Sequence, residues 1–194
     1  MSIRAALENA IGGLWVAWIV YWWISSRDVK ATIRHESVAS RLAHVVPLSM
    51  AAWMIAAPKI QNGWLTARFV PASTWIYFVG VLIVAAGMGF TVWARIHLGR
   101  NWSGTVTLKQ GHEFVRSGPY RYVRHPIYTG LLAAFAGSAL ARGELRGIVA
   151  VAIAFAALWR KLKLEERWLG EAFRRELRAL SRRSSSTRSV HSLS

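Results

Sequence analysis

The sequence predicts an all-α integral membrane protein of about five transmembrane helices, the last two forming a hairpin. Three observations predict it. The chain is 54% apolar yet carries a formal charge of +16. Its apolar residues gather in blocks at roughly 7–25, 42–58, 75–94, 126–141 and 145–160, with Lys and Arg between them. The connecting segments are alternately rich and poor in basic residues. The stretches 26–41, 95–124 and 160–194 hold four, six and ten Lys or Arg, twenty of the 25 in the chain. A membrane span needs about 20 apolar residues, and with five spans the three rich stretches fall on one side. By the positive-inside rule the N-terminus is then outside and the C-terminus cytoplasmic. A soluble protein of this charge would suggest nucleic acid, but segregation along the chain points to lipid.

Each block has its own signature. The first carries Glu8 and Asn9, ends in Tyr21-Trp22-Trp23-Ile24 and lacks a small-residue cleavage site, so it reads as a retained anchor and not a signal peptide. The second offers little chemistry beyond His44 near one end. The third contains Gly80, Gly87 and Gly89, which permit close helix contact in lipid. Trp22, Trp23 and Trp64 suit the membrane interface. The fourth and fifth blocks are short and joined only by Arg142-Gly143-Glu144. Their length is made up by snorkelling of Arg142 and Arg146 and by helix continuing past Arg160. Residues 1–180 form one transmembrane domain, and the Ser-rich, basic segment 181–194 is expected to be disordered. With no cysteine, disulfides, thiolate catalysis and Cys-ligated metals are excluded, and no metal site is expected.

The chemistry concentrates in residues 95–130, a polar, turn-rich run between two spans. Thr105-Val106-Thr107-Leu108 fits a short extended stretch, and Gln110-Gly111 and Ser117-Gly118-Pro119 fit turns. His125-Pro126 then opens the fourth span, since proline suits the first helical turn, where its missing N–H is not required. Composition alone favours a plain connector with a well-made helix start.

Motifs in this region change that balance. Leu98-Gly99-x-Asn101-Trp102-Ser103, Gly111-His112, Gly118-Pro119-Tyr120 and Arg124-His125-Pro126-x-Tyr128-x-Gly130, followed by Glu165-Glu166, Leu169 and Phe173, resemble the isoprenylcysteine carboxyl methyltransferase family in order and spacing. The resemblance covers residues 95–173; residues 1–94 share only their hydrophobic spans. It implies a membrane methyltransferase that binds S-adenosylmethionine at the cytoplasmic face through the last two spans and their loops. Carried over by position, the cofactor contacts are His112, Glu113, Phe114, Val115, Tyr120, His125, Pro126, Ile127 and Tyr128. Lys161 stands where eukaryotic members place an Arg near the substrate, and Glu165 matches the paired family acid. His125 and Glu165 are the catalytic candidates, with Lys161 and Glu165 on the substrate side. The implied partners are membrane lipids and a lipophilic acceptor, by family precedent the carboxylate of a prenylated cysteine. A bacterial plasma membrane is the expected location, with the endoplasmic reticulum as the alternative.

These residue types suit that use. A helix N-terminus at Pro126 presents N–H groups and positive potential to a carboxylate. Tyr120 and Tyr128 suit an adenine or a sulfonium cation. A carboxylate acceptor needs no base, whereas an amine, phenol or thiol needs one, for which His125 or Glu165 is available. Each also has a plainer role: Tyr128 in an aromatic belt, or Lys161 and Glu165 as an i, i+4 salt bridge. The C-terminal part departs from the family, since Leu177 and Leu180 stand where tyrosines are usual. Two other functions fit the same spans: an NADPH-dependent membrane sterol-type reductase, and a non-catalytic scaffold or sensor.

Overall fold

The structure, a computed structural model, describes residues 3–27, 32–34, 37–57, 63–99, 108–109 and 117–191. Its helices are α1 (Ile3–Ser25), α2 (Val38–Ala56), α3 (Thr74–Leu98), α4 (Pro126–Arg142) and α5 (Leu145–His191). A short 3-10 turn, Gly118–Arg121, precedes α4. The five expected blocks thus correspond to five helices in an all-α membrane protein. α1, α2 and α3 are each long and apolar enough to cross a bilayer. α4 has 17 residues, and α5 becomes highly charged after its apolar opening. Large apolar side chains such as Val16, Trp53, Leu82 and Phe155 lie on the outside, as a lipid solvent requires.

The helices run alternately up and down, and side-chain contacts tie their ends together. At the hairpin end, Arg142 donates to the Ala56 carbonyl and Arg68 to the Arg142 carbonyl. Gly143 adopts φ 71°, a left-handed turn that closes α4 and permits an immediate return into α5. The first N–H groups of α5 are satisfied by the connection between α2 and α3: Leu145 donates to Ala67 and Arg146 to Leu65, each at 2.9 Å. At the opposite end, Arg95 of α3 donates to the Ser25 carbonyl, and Arg160 of α5 donates to the Ser40 carbonyl. Two short strands, β1 (Thr32–Arg34) and β2 (Leu108–Lys109), pair antiparallel there. They join the connection after α1 to the one after α3. The described parts of the three basic-rich segments therefore begin at the same end of the bundle.

The closest packing joins α3 to α4, because glycines face each other across it. A Cβ on Gly87 would lie 2.6 Å from the Gly130 carbonyl oxygen, and one on Gly80 would lie 2.7 Å from that of Gly137. The converse clashes are as severe, so both pairs are needed for backbone-to-backbone contact. Gly89 differs from the expectation: the space beside it is open. α1 is fastened to this pair through tryptophans. Trp15 Nε1 donates to Ser138 Oγ at 3.1 Å, and Trp18 Nε1 to Thr91 Oγ1 at 2.6 Å. An indole N–H in lipid has no water to bond, so these hydroxyls fix the depth and rotation of α1.

Two further expectations are corrected. α3 continues to Leu98, so Arg95 and His97 belong to its last turn and not to a loop. Arg146 does not snorkel to water. It is 1% exposed, bonded to Glu144 at 2.6 Å and to the Ala57 carbonyl at 2.7 Å. Inside the bundle those two oxygens replace the hydration that a guanidinium would otherwise seek. α5 itself runs on to His191. Extending an existing helix fixes one residue per added hydrogen bond and avoids the cost of nucleation.

Candidate active site

The site is built on the first turn of α4. His125 is the N-cap residue and Pro126 the first helical residue; the His125 side chain makes no capping bond. Pro126 is fully buried and fixes where the helix begins. The imidazole instead lies parallel to the Tyr128 ring, with centroids 5.7 Å apart and planes 2° apart. Tyr128 Oη donates to Glu165 Oε1 at 2.5 Å, so α5 is held against the start of α4 by a short hydrogen bond to a carboxylate. His125 Nδ1 lies 3.9 Å from Glu165 Oε2, and its Nε2 lies 4.0 Å from Glu166 Oε1. Lys161 Nζ stands 5.5 Å from the centre of the Tyr128 ring. One turn of α4 and one of α5 therefore present two carboxylates, an imidazole, a phenol and an ammonium within a single cluster. His125 and Glu165 side chains are each 23% exposed, accessible yet largely shielded from water.

The preceding turn packs beneath this cluster. Gly118 has φ 55°, and a Cβ there would lie 2.3 Å from the His97 ring, so both conformation and space demand glycine. The buried Pro119 follows, and Tyr120 is held near Glu165 and Arg95. Burial is the main cause that pushes the Tyr120 phenol up from its ordinary 10.0 to about 12, with Arg95 opposing and Glu165 adding to the rise. Tyr120 is thus a neutral hydrogen-bond donor at any physiological pH. Because its folded pKa lies above the unfolded one, the stability it contributes is fully present below pH 10 and is lost as pH rises toward 12.

Five expected site positions on α4 and its turn, namely Tyr120, His125, Pro126, Ile127 and Tyr128, sit together, and Glu165 and Lys161 join them from α5. The remaining expected cofactor contacts, His112, Glu113, Phe114 and Val115, lie outside the described residues, as do Leu177 and Leu180 side chains. Sequence reasoning passed over Arg95 and named Glu166 only as one of the paired acids, without a specific role. Arg95 is 5% exposed, donates to the Gly99 and Ser25 carbonyls, and sits near Tyr120. A charged residue on the last turn of a long apolar run was the available signal, but it was counted with the loop.

A model of the phospholipid methyltransferase family matches residues 75–176. That stretch covers more than half of the chain and contains α3, the whole site and the start of the charged part of α5. The chain belongs to the phospholipid methyltransferase family. This family is part of the isoprenylcysteine carboxyl methyltransferase-like group of membrane methyltransferases that the motifs resemble. Membership favours the reading of a membrane methyltransferase over that of a reductase. The chain is also similar to the uncharacterized protein YpbQ of Bacillus subtilis (strain 168), 31% identical over 58 residues. That match takes in 30% of this chain and 33% of YpbQ, so the chain matches only about a third of the length of this curated relative.

Proposed function

We propose that the protein transfers a methyl group from S-adenosylmethionine to an amine-bearing membrane lipid, at the cytoplasmic end of the bundle. The observation that carries this reading is the Tyr128–Glu165 hydrogen bond, with His125 facing Glu165 and Glu166. The residues present fit S-adenosylmethionine. The start of α4 suits its carboxylate, the neutral Tyr120 phenol can donate to it, and the His125–Tyr128 ring pair beside Glu165 suits a sulfonium cation. When bound, the cofactor supplies an electrophilic methyl. The protein's task is then to hold the acceptor in line, exclude water and take a proton. His125 is placed to accept that proton from an ammonium, with Glu165 held in register by Tyr128.

Two carboxylates beside the reacting centre favour a cationic acceptor over an anionic one. The carboxylate of a prenyl-cysteine-like substrate is the second reading, and Lys161 over the Tyr128 face is the observation that favours it. The test titrates S-adenosylmethionine into purified protein and into the His125→Ala and Tyr120→Phe variants. It then assays methyl transfer to an aminophospholipid and to a prenyl-cysteine analogue between pH 6 and 9. The parent is expected to bind the cofactor and both variants to bind it about tenfold more weakly, as loss of ~1.4 kcal/mol implies. Turnover of the amine should rise with pH as the acceptor loses its proton. Unchanged cofactor affinity in both variants would remove these residues from the site. A flat pH profile with the prenyl-cysteine analogue alone would decide for the carboxylate acceptor.

A further inference from the structure

A second feature lies at the other end of the same helices. α1 packs on α3 while α2 packs chiefly on α5, and between them is a cavity of about 820 Å³. That volume falls within the ~300–1,000 Å³ of small-molecule sites. Its rim is formed by the exposed apolar side chains of Val16, Ile19 and Trp53, and its floor by the buried Ile55, Phe135 and Ser138. The charged groups of the lining, Arg4, Glu8, Arg142 and Glu144, gather together beside Tyr77 at one end. Tyr128 and Arg142 are 14 residues apart on α4, which at 1.5 Å per residue puts about 21 Å between this end and the active site.

We infer that this cavity holds one zwitterionic phospholipid of the opposite leaflet, bound as a structural lipid and not as a methyl acceptor. The open side between α1 and α2 faces the bilayer and admits an acyl chain. The lining at the polar end holds two arginines and two glutamates, with Arg4 paired to Glu8 at 3.2 Å and Glu144 to Arg146 at 2.6 Å, so a head group bearing both charges can join these pairs where a purely anionic one would meet carboxylates. Arg142 suits the phosphate, and the half-exposed Glu8 suits the ammonium, which would share its carboxylate with Arg4. The site is separate from the methyl-transfer reading and does not depend on it.

Gly12 provides the test, because it lines the cavity and a Cβ added there would meet nothing within 4 Å. Gly13 is equally open but is not part of the lining. The parent, Gly12→Phe, Gly13→Phe and Glu8→Gln proteins would be reconstituted without cofactor in nanodiscs of mixed phosphatidylethanolamine and phosphatidylglycerol. Lipid retained on release would be read by native mass spectrometry, and thermal stability measured alongside. One phosphatidylethanolamine should stay with the parent and Gly13→Phe. Gly12→Phe should lower the retained fraction about tenfold, and Glu8→Gln should shift retention toward phosphatidylglycerol. Equal retention by Gly12→Phe and the parent would overturn the assignment, as would a parent that keeps phosphatidylglycerol equally well. A retained lipid that gains a methyl once S-adenosylmethionine is added would make it the acceptor and overturn the structural role.

Discussion

Replacing Gly130 with leucine is expected to abolish assembly of the bundle, and replacing it with alanine to lower the melting temperature in detergent by roughly 2–12 °C. The alanine Cβ would sit 2.5 Å from the Gly87 carbonyl oxygen and 2.7 Å from a Thr91 methyl. A backbone oxygen cannot swing aside as a side chain can, so α3 and α4 must separate along their length. Overpacking of this kind costs about 1–3 kcal/mol, and each kcal/mol shifts the melting temperature of a chain this size by about 2–4 °C. Leucine adds three more carbons to the same gap. The effect reaches the site because Gly130 is two residues beyond Tyr128 and Thr91 is one turn before Arg95. Gly89→Ala serves as the control: its surroundings are open, so no loss of stability is expected. Comparable melting in Gly130→Ala and Gly89→Ala, followed by tryptophan fluorescence, would show that the close α3–α4 contact is not what holds the bundle.

Why these glycines matter was only partly legible in the sequence. Apolar blocks and the alternation of basic segments located all five helices, because span length and charge bias act locally along the chain. The glycines of α3 were visible as a type, but their partners Gly130 and Gly137 depend on how two helices lie against each other. Gly89 shows the limit, since composition cannot tell which side of a helix faces a neighbour. Arg146 and Arg95 show it again. Both sit at the ends of apolar runs, where an arginine ordinarily reaches water, yet carbonyls of distant segments bind them instead. The motif residues fared better. His125, Pro126 and Tyr128 are fixed by the local chemistry of a proline-started helix. Their meeting with Glu165 and Lys161 across 30-odd residues was implied by resemblance and not by any local signal.

Turnover should fall about 10²–10⁴-fold in Glu165→Gln, the range expected when a positioned acid–base unit is disabled, because His125 loses the carboxylate that faces it, with stability nearly unchanged. The substitution keeps the size of the side chain but removes the negative charge that faces His125 at 3.9 Å and accepts the Tyr128 hydrogen bond. Tyr128→Phe deletes the donor alone, so it should lose less, about tenfold, through misplacement of Glu165. If Tyr128 acts on chemistry only by holding Glu165, adding Tyr128→Phe to Glu165→Gln should cost little more, since effects within one unit are not additive. Lys161→Met separates the substrate side: a carboxylate acceptor would lose affinity and raise KM, whereas an amine acceptor would bind as well or better. Single-turnover rates, acceptor KM and cofactor affinity for these four proteins therefore answer two questions at once. Full activity in Glu165→Gln would reduce the Tyr128–Glu165 pair to a structural tie between α4 and α5. An acceptor KM raised only in Lys161→Met would assign the site to an anionic substrate despite its two carboxylates.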